Sequence, residues 1–260
     1  MTRYLRIWLQ LAVNELLITL SSRVGTVFFF IGKAFRYGVF LVVLWSLRTQ
    51  ITSISGFSID QMYIFFLSYS MIDLVSQILF RSTYNMSELV TTGNLDLVLV
   101  KPIHPLFRSL LGQPDINDFL FLIPVSIITA ILISRFSSPS SSDLILGFVM
   151  FLTGMMISMT MHILICALSI VLLEVNNLVF MLRDLSSMAR FPMEIYTLPI
   201  RVIMEFVIPI GLMMNLPARA LLGMLTPQSV IISLAIAATF LVASFWLWNQ
   251  MILRYSSASS

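Results

Sequence analysis

Charge is what this sequence has least of. Lys and Arg number 15 and Asp and Glu 12 among 260 residues, so 10% of the chain is charged, against about 25% in an ordinary soluble domain. With 58% hydrophobic residues and a mean hydropathy of +0.97, most of the length cannot face water. Disorder is excluded as well, because it needs low hydrophobicity and high charge. Cysteine is nearly missing: Cys166 stands alone, which rules out a disulfide framework and a cysteine-rich zinc or iron–sulfur site. His104 and His162 are too far apart to form a ligand pair by spacing. The one Gly-Lys pair, Gly32-Lys33, is followed by Ala34, and Val27 occupies the earlier glycine position, so no phosphate-cradling loop exists. H-E-x-x-H and G-x-S-x-G are absent. Of the Ser/His or paired-Asp arrangement an intramembrane protease needs, only Asp73 and His162, plus common serines, lie clearly inside apolar runs. The chain is therefore not expected to be an enzyme or to hold a metal or cofactor. A net charge of +3 is too small to point to nucleic acid. The amino terminus lacks the pattern of a cleaved signal peptide and is expected to be retained.

What remains is a polytopic membrane protein. A helix crosses about 30 Å of hydrocarbon with about 20 mostly apolar residues. Six segments qualify: Val24–Leu47, Gln61–Phe80, Phe119–Ser134, Leu144–Leu173, Glu194–Asn215 and Ser229–Gln250. Lys33 and Arg36 interrupt the first, Pro124 the third, and Pro199 and Pro209 the fifth. The runs are continuous rather than alternating, so they predict helices and not barrel strands. The fold class is all-α, one transmembrane domain over residues 1–260.

Six spans put both termini on one side. With that side cytoplasmic, ten Lys and Arg lie inside or at inner boundaries, and Arg48, Arg135 and Arg219 lie outside. Residues 1–22 carry Arg3, Arg6, Gln10 and Asn14 at helical spacing among Leu5, Trp8, Leu9, Leu16 and Leu17. They read as an interfacial helix before the first span or as a longer, tilted first span. Residues 81–114 form the longest polar stretch. Its start extends the second span, Gly93 supplies a helix stop, and Pro102 and Pro105 break any helix beyond that point. The apolar run Leu95–Val100 on such a loop suggests a docking surface. Val175–Arg190 reads as a second cytoplasmic connection, helical in composition, and residues 211–227 as an extracellular segment of short helices dipping into the interface.

Ionisable groups in a bilayer core cost about 2.5–3.5 kcal/mol each and should pair or face water. Lys33, Arg36, Asp73 and Glu205 fall in one depth band, which predicts the pairs Lys33–Asp73 and Arg36–Glu205. The alternative is a later start of the first span, with both cations snorkelling to headgroups. In the fourth span Gly147, Gly154, Ser158, His162, Cys166 and Ser169 share one stripe. It serves either close packing within the subunit or a pathway face.

The stretch TGNLDLVLVKPIHPLFRSLL, Thr92 to Leu111, resembles the cytoplasmic segment of permease subunits of the ABC type-2 exporter family, in a poorly characterised bacterial branch. RFPMEIY through IPIGLMMNLPARALLG (Arg190 to Gly223) and the terminal RYSSASS resemble the same branch, so the likeness covers nearly the whole chain. The pair of cations in the first span departs from the family pattern. The resemblance implies a multi-pass subunit of a bacterial inner membrane that dimerises, with an identical or homologous partner, around a translocation pathway. It implies a separate cytosolic ATPase that binds ATP and Mg, and a coupling helix between the second and third spans. On that basis Leu95, Leu97 and Leu99 are expected to contact the ATPase, with Glu88, Asp96 and Lys101 as rim charges; the alternative is that these leucines pack on the protein's own inner helix ends. A non-transporting scaffold or assembly factor is the alternative, as is a secondary transporter, although no repeat relates residues 1–130 to 131–260. Nothing selects the substrate.

Overall fold

The computed structural model describes residues 2–137, 139–172 and 176–256. Among them the chain is almost wholly helical. Helix α1 (Thr2–Ser21) is separated from α2 (Arg23–Leu47) by Ser22. A short hairpin comes next, β1 (Ser53–Ile54) and β2 (Phe57–Ser58), with Ser53 opposite Ser58. Its turn places Ser55 at φ 50° and Gly56 at φ 85°, the left-handed pair that two-residue hairpin turns require. Ser58 and Gln61 then cap α3 (Ile59–Phe80) reciprocally. After a tight turn at Arg81–Asn85 come the short helices α4 (Met86–Thr91), α5 (Leu95–Leu99) and α6 (Pro105–Leu111). Helices α7 (Ile116–Phe136) and α8 (Ser141–Val171) precede α9 (Asn176–Met188). Helix α10 (Leu198–Val202) continues through a wide turn at Ile203–Val207 and meets α11 (Ile210–Leu221) at a bend of 93°. Helix α12 (Pro227–Ile252) completes the fold.

Five helices, α2, α3, α7, α8 and α12, are long and apolar enough to cross a membrane, and the bent pair would make a sixth. They are not equivalent. The apolar window of α3 is 83% buried inside the chain, that of α8 44%, and those of α2, α7 and α12 only 17%. Helix α3 is thus the axis, α8 packs beside it, and the other three present most of their apolar surface outward, as lipid contact demands. Ile64, Phe65, Ile72 and Leu74 of α3 are fully buried.

Packing fixes the direction of each helix. Val230 packs near Met150, Ala237 near Ile157, and Trp248 near Cys166, so α12 runs parallel to α8. Phe80, Met86, Leu95, Leu106 and Trp248 share one cluster. The Arg3 guanidinium donates to the Pro102 carbonyl at 2.8 Å, and the Tyr4 ring meets Phe107 at 4.8 Å. Both ends of the described chain and the α4–α6 segment therefore lie at one end of the bundle, here the terminal face. The hairpin and Phe136 lie at the far face, packed with Ile59 and Met62.

Since α8 ends at the terminal face and α12 starts at the far face, the segment between them crosses once. The crossing corrects the expected fifth span, Glu194–Asn215. Leu182 of α9 lies near Ser76 and Gln77, Arg190 over the Tyr69 ring, and Phe191 and Ile195 beside Met62 and Tyr63. The chain from α9 to Ile195 thus climbs antiparallel to α3 and makes the crossing. Ile210 then lies back at the depth of Ile157, and Leu221 returns to the level of Gly147. Residues 198–221 enter from the far face and leave by it. They are apolar enough for a span, but Pro199 and Pro209 cannot continue a straight helix. The expected boundary residues Leu173 and Val175 and the tail residues 257–260 lie outside the described residues.

Candidate functional site

A seam of charge runs between α2, α3 and α7, toward the terminal face. The Lys33 ammonium pairs with Asp118, whose side chain is 2% exposed. Arg36 donates to Asp73 at 3.0 Å, and Tyr37 donates to the same carboxylate oxygen at 3.3 Å. Arg81 reaches Asp115 at 3.8 Å. The expected partners are therefore exchanged: Asp73 takes Arg36 rather than Lys33, and Lys33 takes Asp118. Glu205 pairs with Arg201, one turn away at 3.2 Å, and not with Arg36. The reason lies in the start of α7. The helix begins at Ile116, three residues before the expected span, which carries Asp118 into the bundle. Asp115 caps that helix by accepting from the Asp118 N–H at 3.1 Å, a D-x-x-D spacing that marks a helix start in the sequence. A second group, at the far face, was not expected. Glu194 accepts from Arg219 and lies 3.4 Å from Arg201, and Asn215 donates to the Phe191 carbonyl at 3.2 Å. These bonds tie the re-entrant pair to the top of the crossing segment.

The small-residue stripe of α8 is consumed by packing inside the chain. A Cβ on Gly147 would sit 3.0 Å from Leu221, and one on Gly154 would run into the Met213 carbonyl and lie 2.8 Å from Ile72. Ser158 and Ser76 share a hydrogen bond of 2.7 Å. His162 bonds through Nδ1 to the Ser158 carbonyl at 2.8 Å, with its ring 5.0 Å from Phe80. Cys166 is fully buried beside Thr83. Ser158 and His162 nonetheless also line a small cavity of about 20 Å³ with Asp73, Gln77 and Arg183, room for a single water molecule.

At the terminal face, α4 and α5 form a step. Gly93 takes φ 74° between them and its N–H returns to the Val90 carbonyl, the helix stop its position predicts. Leu95 and Val98 point inward and are buried, so Leu95 is a core residue and not a contact for a partner. Leu97 at 60% exposure and Val100 at 79% point outward. Leu99 is half-buried against the same cluster as Leu95. Val100 was not among the expected contacts. Glu88, Leu97 and Lys101 also line a cleft of about 340 Å³ beneath the step.

A helical bundle whose terminal face carries such a step between its second and third long helices can be compared with known proteins. A family model described as ABC-2 family transporter protein matches residues 34–259, most of the chain. The chain belongs to the ABC-2 transporter family. No curated protein and no solved structure matches it. This ABC-2 transporter protein is thus a multi-pass membrane permease component, and the family does not itself carry a catalytic centre. Among its described residues no group of His, Cys, Asp and Glu could hold a metal ion. The matched region of the ABC-2 protein starts at Ala34 and leaves out α1 and Lys33 but takes in Arg36, Asp73 and Asp118.

Proposed function

We propose that the chain is the transmembrane subunit of an ATP-driven exporter, paired with a second permease subunit and energised by a separate cytosolic ATPase. The observation that carries this reading is the family match together with Leu97 and Val100, two apolar side chains held outward on an otherwise packed step. Exposed apolar groups on such a face lose contact with water when a partner covers them. In this reading the terminal face is cytoplasmic and the ATPase seats on α4–α5, with Glu88 and Lys101 at the rim. Eight cations support that orientation: Arg3, Arg6, Arg23, Arg81, Lys101, Arg108, Arg183 and Arg254 lie toward the terminal face, against Arg48, Arg135, Arg201 and Arg219 toward the far face. Arg201 moves to the far side because the fifth crossing precedes it.

The test is copurification of an ATP-hydrolysing subunit from native membranes. An ATPase should come down with the intact chain and be lost with the double change Leu97→Asp and Val100→Asp. If no ATPase accompanies the intact chain, a scaffold or assembly role replaces the exporter reading.

A further inference from the structure

One face of α9 does not suit lipid. Leu182, Arg183 and Ser186 line the small cavity with Asp73 and Gln77, so Asp184 lies about 5–10 Å inside the end of α3. Val179 and Ser186 are buried. At about 100° per residue Asp184 falls almost opposite them, between Phe180 and Met181, and all three are exposed. Among the described residues the Asp184 carboxylate takes no ion pair and no hydrogen bond; only its backbone carbonyl accepts, from Ser187. At the same level Asp73 holds Arg36 and Asp118 holds Lys33. The outward faces of α2, α7 and α12 carry no acid at all, since α2 and α12 contain none and Asp118 of α7 is buried. A carboxylate at such depth is stable only when it is paired or meets water.

The opposite charge is one residue away. Beside the seam lies a cleft of about 370 Å³, with Phe28 and Gly32 of α2 at its exposed edge and Arg183 of α9 in its wall. Its three acids each take one of its four cations, which leaves Arg183 over. Among the described residues Arg183 makes no ion pair or hydrogen bond. Each chain thus holds one spare cation and one spare anion on neighbouring side chains of one helix, at one depth. In a two-fold pair residue i meets j and j meets i. An axis along the membrane normal keeps both copies at the same depth, and because the two residues are adjacent both contacts fall beside that axis.

We propose that the second permease subunit is an identical copy, docked α9 to α9, so that Asp184 of each copy pairs with Arg183 of the other. Four charges are then covered as two opposite pairs, with Phe180 and Met181 shielding them from lipid. An identical copy brings the matching charges with it, whereas an unrelated partner would have to supply a spare cation and a spare anion of its own. The inference rests on the reading of the chain as one of two permease subunits and names the other.

Two differently labelled forms of the full chain are purified in detergent, and their association is followed by energy transfer between the labels. The unaltered forms should associate. Asp184→Arg and Arg183→Asp should each raise the dissociation constant for self-association at least about thirtyfold, the loss of a covered charge pair. Mixed with each other, the two variants should associate nearly as well as the unaltered forms, because both contacts are restored with their signs exchanged. A misfolded variant could not be rescued by mixing, and size exclusion checks each one alone. Failure of the unaltered forms to associate overturns the proposal, and an ATPase that still copurifies with such a chain leaves the exporter reading standing. Undiminished self-association of either variant also overturns it, placing Asp184 against water or another partner, as does a mixture that associates no better than the separate variants.

Discussion

Removing one member of the Lys33–Asp118 pair should be far more damaging than removing both. The two side chains are 10% and 2% exposed, so a charge left without its partner regains water only through the edge it presents to a cleft of about 370 Å³. Breaking a buried pair from one side costs about 3–5 kcal/mol, whereas replacing both members with apolar groups of similar volume is often neutral or stabilising. The two single changes should differ. Asp118 lies in the first turn of α7, where the helix N-terminus favours a negative charge by about 0.3–1 kcal/mol. Lys33→Met therefore leaves a partly compensated carboxylate and should cost about 3 kcal/mol. Asp118→Leu leaves an ammonium over the Phe29 ring at 4.9 Å, a contact worth about 0.5–1 kcal/mol. The double change Lys33→Met with Asp118→Leu should return to within about 1 kcal/mol of the unaltered chain. Reversible unfolding of the purified chain in mixed detergent micelles gives the three differences, and their combination gives the coupling. A coupling within about 0.5 kcal/mol of zero, the scatter of independent sites, would refute the reasoning.

Other outcomes rest on the packing. Gly154→Leu should cost at least about 1–3 kcal/mol through overpacking against Met213 and Ile72, seen as loss of folded protein by size exclusion; normal assembly with altered substrate selectivity would instead make the stripe a pathway face. Leu95→Ala should destabilise the chain by about 2–5 kcal/mol in the same unfolding assay, while Leu97→Ala leaves its stability within about 0.5 kcal/mol. With Cys166 replaced by Ala, Thr197→Cys and Gln228→Cys should react with an impermeant thiol reagent from the same side of a sealed vesicle, and Lys101→Cys from the other; labelling of Thr197→Cys from the side of Lys101→Cys would restore a straight span over Glu194–Asn215. Glu194→Gln should expose the α10–α11 segment to protease from the far face, because it loosens the contacts to Arg201 and Arg219; an unchanged cleavage pattern would show that these ion pairs do not hold it.

Hydropathy alone located α2, α3, α7, α8 and α12 to within a few residues, because a bilayer demands long apolar runs and leaves little choice of element. The fifth crossing was hidden for the converse reason. Helix α9 carries Arg183, Asp184, Ser186 and Ser187, and it crosses in the company of Asp73, Gln77 and Ser158 rather than of lipid, so its composition reads as a helix outside the membrane. Residues 198–221 misled in the other direction, being apolar without crossing. The existence of buried ion pairs was legible from four charges at one depth, but not who pairs with whom: a three-residue extension of α7 brings in Asp118, and that depends on the Asp115 cap. The α4–α5 step shows the same limit. In a five-residue helix and the residue that ends it, which of Leu95, Leu97 and Val100 faces inward is set by what they dock on, and no periodicity is long enough to say.

The bend between Val207 and Ile210 has a bearing on how the protein is made. At that point the backbone leaves the helix at the depth of Ile157, where the neighbouring groups are bonded by short-range returns from Ile208 to Ile203 and from Met213 to Pro209. Such a corner is tolerated at membrane depth only when other protein surrounds it. Newly synthesised α10 and α11 should therefore have no stable seat until α3 and α8 are side by side, so the bundle is expected to form first and α10–α11, the wedge, last. A chain truncated after Ile195 should already hold the α3–α8 contact, measurable as a cross-link between cysteines replacing Ser76 and Ser158; its absence from the truncated chain would mean that the wedge organises the bundle instead.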